Sequence, residues 1–102
     1  KKLALELGGN AATFIDKSAN LKLSASRCTF GAFVNSGQVC ISLQRIYVHQ
    51  DIYDKFAKKM RKETKKLIVG SPYNDNTFVG PLINDEALER AILWIKSAIE
   101  EG

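Results

Sequence analysis

The chain has 102 residues, of which 15 are Lys or Arg and 11 are Asp or Glu, giving a net charge of +4. Hydrophobic residues make up 45% and charged residues 25%, close to the averages for soluble globular proteins, which excludes a disordered tail, a collagen-like chain and a coiled coil. No apolar run approaches the roughly 20 residues that a membrane-spanning helix takes, so no membrane partner is expected.

Leu3-Ala4-Leu5-Glu6-Leu7 alternates enough for a short strand, and Gly8-Gly9-Asn10 breaks it. A second short strand is expected from Ala12 to Ile15, stopped by Asp16. Ser18 then offers an N-cap. From Asn20 to about Asn35, Leu21, Ala25, Cys28 and Ala32 recur at helical spacing, and Phe30, Phe33 and Val34 widen the stripe. So wide an apolar surface predicts a helix largely buried in a larger protein. Ser36-Gly37-Gln38 ends it.

Arg45 to Gln50 is a β-branched and aromatic run, hence a strand. Asp51 is the expected cap of the next helix, and Asp54 lies in its first turn, where the helix dipole favours a negative charge. Tyr53, Phe56, Ala57, Met60 and Leu67 form its apolar face. The stretch from Gly70 to Ile83 holds both prolines and reads as a loop. Asn84 or Asp85 opens a last helix with Leu88, Ala91, Ile92, Ile95 and Ile99 on one stripe, and Gly102 stands where a C-cap glycine would.

The predicted order is β-β-α-β-α-loop-α, an α/β chain in which the elements from Ala12 to Gln50 form a crossover between parallel strands. Parallel strands need cover on both faces, and three helices supply it only in part. With a start at Lys1 rather than Met, this points to a piece of something longer. Two Cys and no visible secretion signal favour a reducing, cytoplasmic setting.

Cys40 is the first candidate for chemistry, because a cysteine in a Gly-containing turn can present its sulfur to a substrate. An ordinary thiol is only a few per cent thiolate at neutral pH and needs activation. By spacing alone, a lone Cys is more often packing than catalysis. Cys28, on its helix stripe, reads as packing. Glu6 is the second candidate. Exposed on an edge strand it would be a solvated charge; buried, its pKa would rise toward neutrality and make it a usable general base.

No phosphate-binding glycine fingerprint occurs. His49 reads as a surface or packing residue, and Cys28, Cys40 and His49 lack zinc-site spacing, so no metal is expected. The seven basic residues from Lys55 to Lys66 read as a solvated helix face rather than a nucleic-acid site.

Two segments carry a family resemblance. Leu5-Glu6-Leu7-Gly8-Gly9 resembles the glutamate signature of the aldehyde dehydrogenases, and Phe33-Val34-Asn35-Ser36-Gly37-Gln38-Val39-Cys40 resembles their cysteine signature. Their order and separation match, and Val69-Gly70-Ser71-Pro72 and Val79-Gly80-Pro81-Leu82-Ile83 resemble a later loop of the same family. Asn10, Ala11, Ala12 and Thr13 depart from the Lys, Ser, Pro and Asn of many members.

The resemblance implies that residues 1–102 are a fragment of a parallel-sheet catalytic domain with flanking helices. It implies a parent enzyme that oxidises an aldehyde to an acid with NAD or NADP, assembled as a homodimer or homotetramer. Cys40 would be the nucleophile, with its backbone N–H in the oxyanion hole. Glu6 would activate the hydrolytic water, and the backbone of Leu7 would lie near the nicotinamide. The fragment alone is expected to be inactive. The competing expectations are a specialised semialdehyde, lactaldehyde or phosphorylated-aldehyde dehydrogenase, and a non-catalytic structural or interaction module.

Overall fold

The computed structural model describes residues 1–5 and 7–102; Glu6 lies outside the described residues. Two strands, β1 (Ala11–Ile15) and β2 (Leu43–Val48), pair in parallel, and α1 (Leu21–Phe33) connects them. Helix α2 (Tyr53–Thr64) follows β2, and α3 (Asp85–Glu101) closes the chain after a long loop. From Ala11 onward this is the predicted order. The expected strand at Leu3–Leu7 differs: none of its described residues belongs to a strand, and Leu3, Leu5 and Leu7 are exposed. Alternation marks a strand only where a neighbour accepts its hydrogen bonds.

The pairing runs Ala12 with Arg45, Thr13 with Ile46, Phe14 with Tyr47 and Ile15 with Val48, after an irregularity between Ala11 and Ala12. The His49 N–H donates to the Ile15 carbonyl at 2.9 Å and extends the ladder by one bond. Side chains alternate across a strand, so one face carries Ile15, Ile46 and Val48. These pack with Ala25 and Cys28 of α1 and Phe56 of α2 into the core. The opposite face carries Phe14 stacked on Tyr47, ring centroids 5.0 Å apart, and both rings are exposed. Among the described residues, the sheet is therefore covered on one side only.

The caps correct two sequence expectations. Asn20, not Ser18, caps α1: its Oδ1 accepts from the N–H groups of Lys22 and Leu23, each at 3.1 Å. Ser18 is spent earlier, its N–H and hydroxyl both donating to the Asp16 carboxylate. Those two bonds hold the Asp16 carboxyl below its ordinary pKa, the hydroxyl bond contributing most. Asp51 does not cap α2 either. It lies in a short 3-10 turn (Gln50–Ile52), where its N–H donates to Nδ1 of His49 at 3.2 Å. Asp54 sits in the first turn of α2 as expected, and Asn84 caps α3 by accepting from the Ala87 N–H at 2.9 Å.

Burial in the helices is partial. Helix α1 buries Ala25, Cys28 and Thr29 but leaves Leu23 and Phe30 exposed. Helix α3 buries nothing, and Leu88, Ile92, Ile95 and Ile99 of its apolar stripe are exposed. The stripes are real helical faces; what they would pack against is not among the described residues. No described helix is long and apolar enough to cross a membrane.

Candidate active site

Cys40 lies in the loop between α1 and β2, and that loop is built by an unusual turn. Helix α1 passes into a 3-10 turn, Val34–Gly37, in which Asn35 (φ 52°), Ser36 (φ 56°) and Gly37 (φ 74°) are all left-handed. Glycine takes this conformation without strain, Asn tolerates it, and Ser resists it. Local bonds close the turn: Asn35 Nδ2 donates to the Gln38 carbonyl at 3.1 Å, and the Gln38 N–H donates back to the Asn35 carbonyl at 3.1 Å. Beyond Cys40, the buried Ser42 donates its hydroxyl to the Ala32 carbonyl at 3.4 Å and its N–H to the Val39 carbonyl at 2.9 Å. The loop is thus pinned on both sides of Cys40, whose own side chain is exposed and free of any disulfide.

No hydrogen bond among the described residues takes up the Cys40 N–H. An N–H left open beside a nucleophile can donate to an oxyanion that forms on it.

Gly9 connects this loop to the other signature. A Cβ placed on Gly9 would overlap the carbonyl oxygen of Cys40, so the two backbones are packed directly against each other. Only glycine permits that approach. Arg45 secures the same segment one residue on, its Nη2 donating to the Asn10 carbonyl at 2.8 Å. The sequence reading missed the Gly9 contact; its one visible signal was the paired glycine after the strand-like run. The placement of Glu6 itself lies outside the described residues. Leu7 is exposed, two positions from Gly9 and its Cys40 contact.

The distal loop also reaches the site. The Gly80 N–H donates to Ser36 Oγ at 3.0 Å, and Phe78 meets Phe30 of α1 edge to face, with centroids 6.0 Å apart. Within that loop, Val69 and Val79 form a β-bridge. The three segments singled out in the sequence therefore converge around one turn.

The other candidates fall outside it. Cys28 is buried in the core, and burial pushes its thiol pKa up. His49 is exposed and serves a turn. An apolar groove of about 570 Å³ lies between β2 and α2, lined by Ile46, Val48, Phe56 and Met60 and by no residue of the Cys40 loop. Tyr53, Thr64 and Lys65 also line it, and it lies between elements of the core away from the Cys40 loop, so it reads as an uncovered packing seam. Among the described residues, no group of three or more His, Cys, Asp or Glu could hold a metal ion. Leu7, two positions before the Gly9 contact, is exposed, and none of the described glycines belongs to a G-x-G-x-x-G phosphate fingerprint.

Comparison with known proteins agrees with this geometry. The family model described as "Aldehyde dehydrogenase family" matches residues 1–102, and the chain belongs to that family. It is 48% identical over 102 residues to a 3-sulfolactaldehyde dehydrogenase of Priestia aryabhattai, covering 100% of this chain and 21% of that protein. It is 43% identical over 102 residues to a lactaldehyde dehydrogenase of Methanococcus vannielii, covering 100% of this chain and 22% of that protein. The crystal structure of a NAD-dependent benzaldehyde dehydrogenase from Corynebacterium glutamicum superposes with a TM-score of 0.87 at 37% identity, covering 100% of this chain and 22% of that one. The chain thus spans about a fifth of the length of the relatives it matches.

Proposed function

We propose that this chain is the nucleophile-bearing part of an enzyme that oxidises an aldehyde to a carboxylic acid with NAD or NADP. The observation that supports the reading is the contact of Gly9 with the Cys40 carbonyl, which brings the glycine end of the glutamate signature to the peptide of an exposed Cys40 whose N–H no described residue takes up. Cys40 Sγ, as thiolate, attacks the aldehyde carbon and forms a thiohemiacetal. The Cys40 N–H stabilises the oxyanion; a single such donor is worth about 2.7–4 kcal/mol in comparable sites. The hydride would leave the thiohemiacetal for a nicotinamide, when one is bound, and a thioester would remain on Cys40. Glu6 takes a proton from water as the water attacks the acyl carbon, the Cys40 thiolate leaves, and the acid is released. The backbone of Leu7 would border the nicotinamide edge. The chain spans about a fifth of the length of the relatives it matches, so the 102 residues alone are expected to show no turnover.

A lactaldehyde-type substrate is the second reading for specificity, favoured by the two relatives named for lactaldehyde and 3-sulfolactaldehyde. The full-length enzyme is read as a cytoplasmic homodimer or homotetramer. The test of the mechanism uses the full-length enzyme. Cys40→Ala should abolish both the pre-steady-state burst of reduced nicotinamide and steady turnover while leaving cofactor binding intact. Glu6→Gln should keep the burst and lose steady turnover, since Gln holds the shape but cannot accept a proton. Turnover near the wild-type rate in Cys40→Ala would overturn the reading in favour of a non-catalytic module. A matched kcat/KM series over lactaldehyde, 3-sulfolactaldehyde and benzaldehyde decides the substrate class.

A further inference from the structure

We propose that Ser36 is a positioning residue for Cys40, its hydroxyl fixing the orientation of the nucleophile's turn against the distal loop. The inference rests on the reading of Cys40 as nucleophile. Ser36 is an unfavourable choice for its backbone: at φ 56° and ψ 31° it occupies the left-handed region, where Gly or Asn would be easier. A non-glycine residue holds such a conformation when its surroundings over-determine it. Here the surroundings are specific. Ser36 Oγ accepts from the Gly80 N–H at 3.0 Å, a half-buried bond between positions far apart in the chain.

The other bonds of the turn are local. Those between Asn35 and Gln38, and from Ser42 to Ala32 and Val39, shape the loop and tie it to itself and to the end of α1. The Ser36 bond refers it to a separate element, which is anchored on α1 through Phe78 and Phe30 and braced by the bond from the Gly70 N–H to the Val79 carbonyl at 3.1 Å. Both the Cys40 sulfur and its N–H follow the turn. Attack on a carbonyl tolerates little error in placement, and a displacement of about 1 Å can cost roughly 10²-fold in rate.

Ser36→Ala and Ser36→Gly in the full-length enzyme separate the hydroxyl from the backbone. Both remove the acceptor, and Ser36→Gly also removes the strain. The expected result is a burst rate lowered by about 10- to 100-fold in both variants, with KM for the nicotinamide cofactor unchanged. A burst in Ser36→Gly as fast as wild type would show that the position needs only a left-handed backbone, and would overturn the proposal. Failure of Ser36→Gly to fold, or loss of cofactor binding together with the burst, would make the bond a general structural one and overturn it equally. Cys40→Ala measured alongside keeps the two readings apart. If that variant still turns over, the nucleophile assignment fails whatever the Ser36 variants do.

Discussion

Cys28 and Cys40 sit at opposite ends of a contrast between two kinds of construction. Around Cys28, side chains do the work: Ile15, Ala25 and Phe56 close over it, and the backbone is ordinary helix and strand. Around Cys40, the backbone does the work: left-handed residues, carbonyl-directed bonds and one glycine–carbonyl contact hold an exposed side chain. A packed core tolerates changes of similar volume, while a site built from close backbone contacts tolerates almost none. The same residue type is inert in the first setting and available in the second.

Thiol reactivity is the widest gap this contrast predicts. In the full-length protein, Cys40 should react with iodoacetamide at least about 100-fold faster than Cys28, because exposing the buried thiol requires a local opening of roughly 3 kcal/mol or more. Peptide mapping of the labelled protein over time reads both rates. Equal rates would place Cys40 in the packed class.

Gly9→Ala should come next. Its new Cβ would strike the Cys40 carbonyl, a backbone atom that cannot swing aside. Overpacking of this kind costs about 1–3 kcal/mol, and here the displacement falls on the peptide of the proposed nucleophile, so kcat should drop about tenfold or more. Unchanged kcat and burst would mean the two signatures are not held together by this contact.

The core has a smaller, pH-dependent signature. Burial raises the folded-state pKa of Cys28 above that of an exposed thiol. The folded state therefore favours the neutral thiol. The resulting stability is fully present below the ordinary thiol pKa, near 8.5, and is lost as pH rises through that value toward the raised one. Hydrogen-exchange protection of α1 should fall as pH rises above the ordinary thiol pKa, and fall less in Cys28→Ala, which removes the titrating group. Identical pH profiles for the two proteins would exclude this coupling.

How much of this was legible in the sequence follows the same division. The core elements were readable because period and propensity act locally: Phe14-Ile15 and the RIYV run form the paired strands, and Asn84 opens the last helix. The strand at Leu3–Leu7 was misplaced because strand character is conferred by a partner. Ser18 lost its capping role to Asn20, a neighbour with an equally suitable acceptor atom, and α2 starts without a side-chain cap because the chain first makes the short turn that His49 caps; only the path of the chain decides either. Cys40 was singled out through its motif, whereas the left-handed turn, the Gly9 contact and the Ser36–Gly80 bond were not foreseen. Each is a meeting of backbone atoms, some from distant positions, and no periodicity records it.

The mildest prediction is a glycine that should behave oppositely to Gly9. Gly31 lies within α1, and a Cβ there would stand 3.6 Å from Leu43 Cβ, an ordinary contact. Glycine inside a helix costs about 0.5–1 kcal/mol relative to alanine through the backbone entropy it forfeits on folding. Gly31→Ala should therefore raise hydrogen-exchange protection of neighbouring α1 amides about 2- to 5-fold and leave kcat unchanged. The position lies close to the Cys40 turn in sequence, yet its surroundings are those of the core, with a side chain rather than a carbonyl facing the new atom. A gain in protection with full activity would set the boundary between the two kinds of construction at the end of α1. A loss of activity of the size expected for Gly9→Ala would show that the backbone-built region extends back into the helix, and that Leu43 belongs to the site as well as to the core.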